Sequence, residues 1–103
     1  MTENTLHYSA LAQQDLDEIY EYISMDLQNP IAAKNTITGI LEEISRLKLH
    51  PNSGKKVSMP NGMDSEYRFV MYKNYLAFYR HVENGVYIDR VLYGKRDYLR
   101  ILF

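Results

Sequence analysis

The apolar residues of this chain change their spacing once, and that change limits the folds open to it. Through residue 50 they recur every three or four positions. From Tyr67 onward they fall in short runs rich in aromatic and β-branched residues, broken by turn signals. A helical period gives way to a strand period, so helices come first and a sheet follows. Residues 51–65, "PNSGKKVSMPNGMDS", separate the two regimes. They hold two of the three prolines and two of the five glycines, and read as a loop that carries the chain from helices to sheet.

Within the first regime, "TLHY" at 5–8 is a short strand candidate, and Ser9 is placed to cap a helix. Ala12, Leu16, Ile19, Tyr20, Ile23 and Leu27 then define one face of an amphipathic helix, with the acids Asp15, Asp17, Glu18 and Glu21 read as its solvated flank. Asn29-Pro30 starts a second helix, Asn as cap and Pro at the first helical position. Its inward stripe is Ala33, Ile37, Ile40, Leu41, Ile44 and Leu47, and His50-Pro51 stops it. The short joint makes the two helices an antiparallel hairpin.

In the second regime, "YRFVMY", "YLAFYRHV" and "VYIDRVLY" are separated by Lys73-Asn74 and by Glu83-Asn84-Gly85, which predicts a three-stranded antiparallel meander. The fold class is therefore α+β in the order β-α-α-β-β-β, with the hairpin packed on a small antiparallel sheet and a short C-terminal segment. At 103 residues it is expected to form one domain over 1–103. Pairing Tyr72 with Tyr75 and Glu83 with Val86 sets a register. One face then carries Arg68, Val70, Tyr72, Tyr75, Ala77, Tyr79, His81, Ile88, Arg90 and Leu92. The other carries Tyr67, Phe69, Met71, Leu76, Phe78, Arg80, Val82, Tyr87, Asp89, Val91 and Tyr93, with Arg80 opposite Asp89 as an ion pair. Both faces are apolar, and two helices cover only one. The second either meets a partner or is partly covered by the C-terminal "YLRILF".

Charge is uneven. Up to residue 54 there are three bases against eight acids; from residue 55 there are nine bases against five acids. No cysteine is present, which excludes disulfides and thiol chemistry. The opening "MTENTLHYSA" lacks a secretory leader pattern, and no apolar run approaches the roughly 18 residues of a membrane span. A cytoplasmic protein without membrane contact is expected. His7, His50 and His81 lack metal-ligand spacing, and no phosphate-binding glycine loop occurs, so neither metal nor cofactor is implied. The chemistry that remains is a basic cluster, Lys55, Lys56, Lys95, Arg96 and Arg100, interleaved with Tyr98. Such a cluster can hold a phosphate backbone and stack a base. His81 is a further acid–base candidate, and Arg68, Arg80 and Arg90 are alternative sources of charge on the strands.

The segment "NYLAFYRHVENGVYIDRVLYGKRDYLRIL", with the helix built on "SALAQQDLDEIYEYI", resembles the RelE/ParE superfamily of bacterial toxins. The resemblance implies the toxin of a type II toxin–antitoxin pair, which arrests growth until a cognate antitoxin covers its grooves, as a homodimer or as a heterotetramer with that antitoxin. RelE-like members cut mRNA on the ribosome with an arginine early in the second sheet strand, an arginine after the last strand and a C-terminal tyrosine. Here those positions fall on Leu76, Arg96 and the neighbourhood of Leu102, with Tyr98 as a shifted substitute. ParE-like members lack the set and poison DNA gyrase. The loss of the first arginine and the modest charge place this chain nearer ParE, as a gyrase inhibitor and not an enzyme. Lys55, Lys56, Lys95, Arg96, Tyr98, Arg100 and Leu102 are then the residues expected to bind target or antitoxin. If the chain is a ribosome-dependent endoribonuclease, Arg96, His81 and Tyr98 are the expected catalytic residues. An inactive protein that only binds antitoxin is the third reading.

Overall fold

A computed structural model describes residues 3–94 and 97–103. Strand β1 (Thr5–Tyr8) leads directly into helix α1 (Ala10–Glu21), and Ser9 makes the junction. Its hydroxyl accepts from the Ala12 N–H at 2.9 Å and donates to the Asp89 carbonyl at 2.8 Å, so one side chain caps the helix and ties it to the sheet. The end of α1 widens into a π-type turn at Tyr22–Asp26, closed by the Leu27 N–H on the Tyr22 carbonyl. Gln28 takes a left-handed φ of 52°, and Asn29 then caps helix α2 (Pro30–Ser45) through the Ala32 N–H.

The sheet has five strands in the order β1-β5-β4-β3-β2. β3 (Asp64–Tyr72), β4 (Tyr75–Val82) and β5 (Gly85–Tyr93) form the expected antiparallel meander, and β1 joins its β5 edge in parallel. A further strand, β2 (Lys55–Ser58), lies inside the stretch read as loop and pairs antiparallel with β3, which itself begins three residues earlier than its periodicity suggested. The pairing of β3 with β4 follows the expected register, Arg68 with Tyr79, Val70 with Ala77 and Tyr72 with Tyr75.

The β4–β5 register differs from the expected one. The turn residues are Glu83-Asn84, and Val82 pairs with Gly85. Glu83, not Gly85, adopts the left-handed backbone, with φ of 54°. Gly85 is buried strand, and a Cβ there would meet the Tyr87 ring at 2.8 Å. The pairing then slips between Phe78 and Tyr79, so Tyr79 faces Ile88 while Phe78 faces Arg90. One extra residue on β5 is a β-bulge, and the side chains beyond Arg90 change side. Val91 and Tyr93 therefore belong with Ala77 and Tyr75 on the helix side, and Leu92 belongs with Leu76 on the other, the reverse of the expected assignment.

The helix side holds the main core of Ala12, Ile40, Ile44, Leu47, Ala77, Tyr79, Val86, Ile88 and Val91. Gly39 lets α2 lie against the Tyr72 ring, which a Cβ would overlap. Two expected inward positions face water: Leu41 on α2, and Tyr20 on α1; Leu27, beyond the π-type turn, is also exposed. Asp15, read as part of the solvated flank, is buried instead. On the far side of the sheet, Val57, Leu76, Phe78 and Leu92 form a second core. The C-terminal helix α3 (Tyr98–Leu102) covers it with Tyr98, Leu99, Ile101 and Leu102, so the second apolar face is partly sealed by the chain itself.

Candidate functional site

β2 and α3 bring part of the basic cluster together. Lys55 and Lys56 are exposed on the edge strand, opposite Phe69 and Arg68. Lys56 and Tyr98 line one cavity of about 370 Å³ with Val57, Met59, Phe69 and Leu99. Arg100 lies beside it, in a neighbouring cavity that shares Pro60 and Leu99. Lys55 faces away from this pair, into a recess of about 380 Å³ with Arg46, His50, Ser53 and Gly54. Lys95 and Arg96 lie outside the described residues.

The remaining candidates are engaged in holding the fold. The Tyr98 ring packs on Phe78 at 5.1 Å between centroids, and Leu102 is half-buried against the same core. His81 sits between two asparagines, Nε2 at 3.2 Å from Asn4 Oδ1 and Nδ1 at 3.3 Å from Asn52 Oδ1. Asn4 is itself oriented, because its amide donates to the Lys48 carbonyl. His81 thus ties the start of β1 to the loop before β2. Leu76 is buried in the second core.

The strand arginines are also partnered. Arg68 donates through Nη1 to the carbonyls of Asn52 and Gly54. Arg80 donates to Asp89 at 2.8 Å and lies over the Tyr87 ring. Arg90 makes a two-pronged pair with Asp15, at 2.8 and 2.9 Å, and Asp15 also accepts the Val91 N–H at 2.9 Å. The hydrogen bond to its carboxylate partner holds each of Arg80 and Arg90 above the ordinary guanidinium pKa. A guanidinium in a two-pronged carboxylate pair is a fixed structural charge and not one free for a phosphate.

Asp15 is the residue that composition hid. A signal was present: it stands three residues after Ala12 and four before Ile19, on the inward face of α1. A second feature was equally hidden. Asp15, Glu18, Ile19, Tyr22, Leu27, Tyr75, Val91, Leu92 and Tyr93 line a groove of about 620 Å³ between α1, the π-type turn and the end of the sheet. Three tyrosines meet there. Burial raises the Tyr75 hydroxyl pKa, with Tyr93 and Tyr22 adding to the shift. The groove depends on the bulge that turns Val91 and Tyr93 to the helix side, which strict alternation assigns elsewhere.

Among the described residues no group of three or more His, Asp or Glu side chains is placed to hold a metal ion, and no helix is long and apolar enough to cross a membrane.

The fold resembles those of two solved toxin–antitoxin systems. The chromosomal ParDE system of P. aeruginosa contains a chain that superposes with a TM-score of 0.73 at 22% identity, over 90% of this chain and 98% of that one. The RelBE2 toxin–antitoxin complex of Mycobacterium tuberculosis contains one that superposes at 0.63 and 18% identity, over 90% and 93%. No curated protein matches the sequence. The model of the ParE toxin of the type II toxin–antitoxin system parDE matches residues 6–98. That span runs from β1 to the first residue of α3 and takes in both helices, the bulge and the whole sheet, so the chain belongs to the ParE toxin family, the toxin side of type II toxin–antitoxin systems.

Proposed function

We propose that this toxin acts by binding and inhibiting DNA gyrase, without cleaving RNA, and that a cognate antitoxin neutralises it in the cytoplasm. One observation carries the reading. Among the described residues, the strand arginines, His81 and Tyr98 are committed to the fold. Leu76 stands where RNA-cleaving relatives carry an arginine and is buried in an apolar core. Arg80 and Arg90 are each paired with a carboxylate, Arg68 donates to the carbonyls of Asn52 and Gly54, and His81 is held between Asn4 and Asn52. Cleavage needs positive charge that is stronger for the transition state than for the bound backbone, and a cation already satisfied by a carboxylate offers little of it.

Docking needs less. Lys56 and Arg100 are exposed beside α3 and Lys55 is exposed on the same edge strand, and we assign these residues, with Lys95, Arg96, Tyr98 and Leu102, to target and antitoxin binding. A short, half-buried helix over a second apolar core is an apt surface for a partner chain that lays an extended or helical segment across it.

Purified toxin should block gyrase supercoiling and accumulate cleaved DNA, and its cognate antitoxin should relieve both. Absence of inhibition at micromolar toxin sinks the proposal. A second reading is favoured by one feature, the shared cavity of Lys56 and Tyr98 beside Arg100. If the toxin is instead a ribosome-dependent endoribonuclease, toeprinting of translated mRNA should show cuts that Arg96→Ala abolishes. Tight antitoxin binding with neither activity and no growth arrest would identify an inactive copy.

A further inference from the structure

Two asparagines of this chain precede glycine, Asn61 in the turn between β2 and β3 and Asn84 in the turn between β4 and β5. Glycine has no side chain to shield its amide nitrogen, so an Asn-Gly step lets that nitrogen attack the asparagine carboxamide. The fold treats the two steps differently. Gly85 is buried in β5, between its partners Val82 and Thr5, and the Asn84 carbonyl accepts the Thr5 N–H at 2.9 Å. Asn61 and Gly62 are both exposed. Gly62 takes a left-handed φ of 87°, and nothing lies within 4 Å of the place a Cβ would occupy there. Its N–H donates to the Met59 carbonyl at 2.8 Å, a bond at a solvated loop tip, where local opening costs least. A further contact favours the chemistry. The Met63 N–H donates to Asn61 Oδ1 at 3.0 Å, so a backbone dipole is already aimed at the oxygen on which negative charge would develop.

We infer that Asn61 is a site of spontaneous modification, whose deamidation places a carboxylate at the rim of the surface around α3. The Gly62 nitrogen gives its proton to hydroxide and bonds to Asn61 Cγ. The Cγ–Nδ2 bond then breaks, and ammonia leaves with a proton taken from water. The succinimide so formed adds water and opens to aspartate or isoaspartate. In sum, water enters and ammonia leaves, with no change of oxidation state. The position gives this reaction a consequence. Pro60 and Gly62, the two neighbours of Asn61, line the cavity of Lys56 and Tyr98, and Pro60 also lines that of Arg100. A new carboxylate there lowers the positive potential around these two cations. The consequence rests on the docking surface proposed above; the reaction at Asn61 does not.

The test incubates the full chain in mildly alkaline buffer, with and without urea, and maps its peptides by mass spectrometry for amide replaced by acid. In the folded protein Asn61 should convert at least about tenfold faster than Asn84, and in urea the two rates should converge, because both steps then have the same local freedom. Conversion of Asn61 no faster than that of Asn84 in the folded chain overturns the site. The consequence is read on immobilised heparin, a polyanion. Asn61→Asp should bind it about two- to fivefold more weakly than Asn35→Asp, which adds the same charge to an exposed position of α2. Circular dichroism establishes that both variants are folded. Equal heparin binding by the two overturns the effect on the surface. Gyrase inhibition by freshly prepared toxin is a separate readout, so either proposal can fail alone.

Discussion

Asp89 and Arg90 are adjacent in the chain, yet each serves a different side of the sheet. The bulge between them and Tyr79 sends Asp89 to Arg80 on the far side and Arg90 to Asp15 on the helix side. The two pairs share the same closest distance, 2.8 Å from Nε to Oδ2. Their surroundings differ. Asp15 is 7% exposed and receives a backbone N–H besides Arg90, while Arg80 is 34% exposed and rests on an open tyrosine ring. What separates the pairs is what happens when one partner is removed. Water can take the place of Asp89 at Arg80. At Arg90 and the Val91 N–H it reaches much less easily. Pair geometry alone therefore says little about worth, and solvent access decides it.

Deleting each carboxylate in turn separates the two pairs. Asp15→Ala should cost about 3–5 kcal/mol in urea unfolding, because it leaves a half-buried charge and a buried N–H without partners. That loss should change little between low and high salt. Asp15→Asn, which keeps an acceptor for Val91, should recover part of it. A loss for Asp15→Ala below about 1 kcal/mol would mean that both pairs are screened alike, and the contrast would vanish.

A buried neutral group on the same core extends the comparison. Tyr79 is fully buried, and its hydroxyl accepts from the Gly54 N–H at 3.0 Å and donates to the Pro51 carbonyl at 2.8 Å. Tyr79→Phe strands both groups and should cost about 1–3 kcal/mol. Burial also raises the hydroxyl pKa values of Tyr8, Tyr67, Tyr75 and Tyr79. The folded state then binds more protons than the unfolded chain. The associated stability is fully present below the ordinary tyrosine pKa of about 10, and is lost as pH rises through the raised folded values. Alkaline unfolding should follow, and Tyr79→Phe should make that loss shallower. Ser9 sits lower on the same scale. Ser9→Ala removes the α1 cap and the link to the bulge carbonyl, and should cost about 1 kcal/mol.

These residues also mark what the sequence disclosed. Caps and periods are local, so Ser9, Asn29-Pro30 and the β3–β4 register were legible from residues alone. β2 was not, because Lys55–Ser58 is too short to show a period and sits among Pro and Gly turn signals; its order comes from pairing with β3. The bulge was illegible for a related reason. Strict alternation continues through "VYIDRVLY", and the packing of Val91 in the helix-side core and of Tyr93 against Tyr75 marks the extra residue. The basic cluster was legible as composition but not as a site. Lys56, Tyr98 and Arg100 gather beside α3, Lys55 faces another recess, and His81 is anchored by Asn4 and Asn52. The groove escaped because Tyr22 lies more than fifty residues before Tyr75 and Tyr93.

The smallest expected effect sharpens the contrast most. Asp89→Ala breaks a pair whose arginine is about one-third exposed, so the freed guanidinium can be hydrated and keeps its contact with Tyr87. The loss should fall between about 0.2 and 1 kcal/mol and should shrink as salt rises, as screened pairs do. Asp89 also contributes, after burial, to the raised pKa of Tyr67, so the same substitution should lower that pKa in a spectrophotometric titration. The titration is informative even where the stability change is within error. It reports the field of Asp89 directly, whereas unfolding reports only the difference between that field and the hydration that replaces it. A large stability loss with an unmoved Tyr67 would mean that Asp89 holds the bulge mechanically, through β5 backbone geometry, and that its pair with Arg80 follows from the bulge without supporting it.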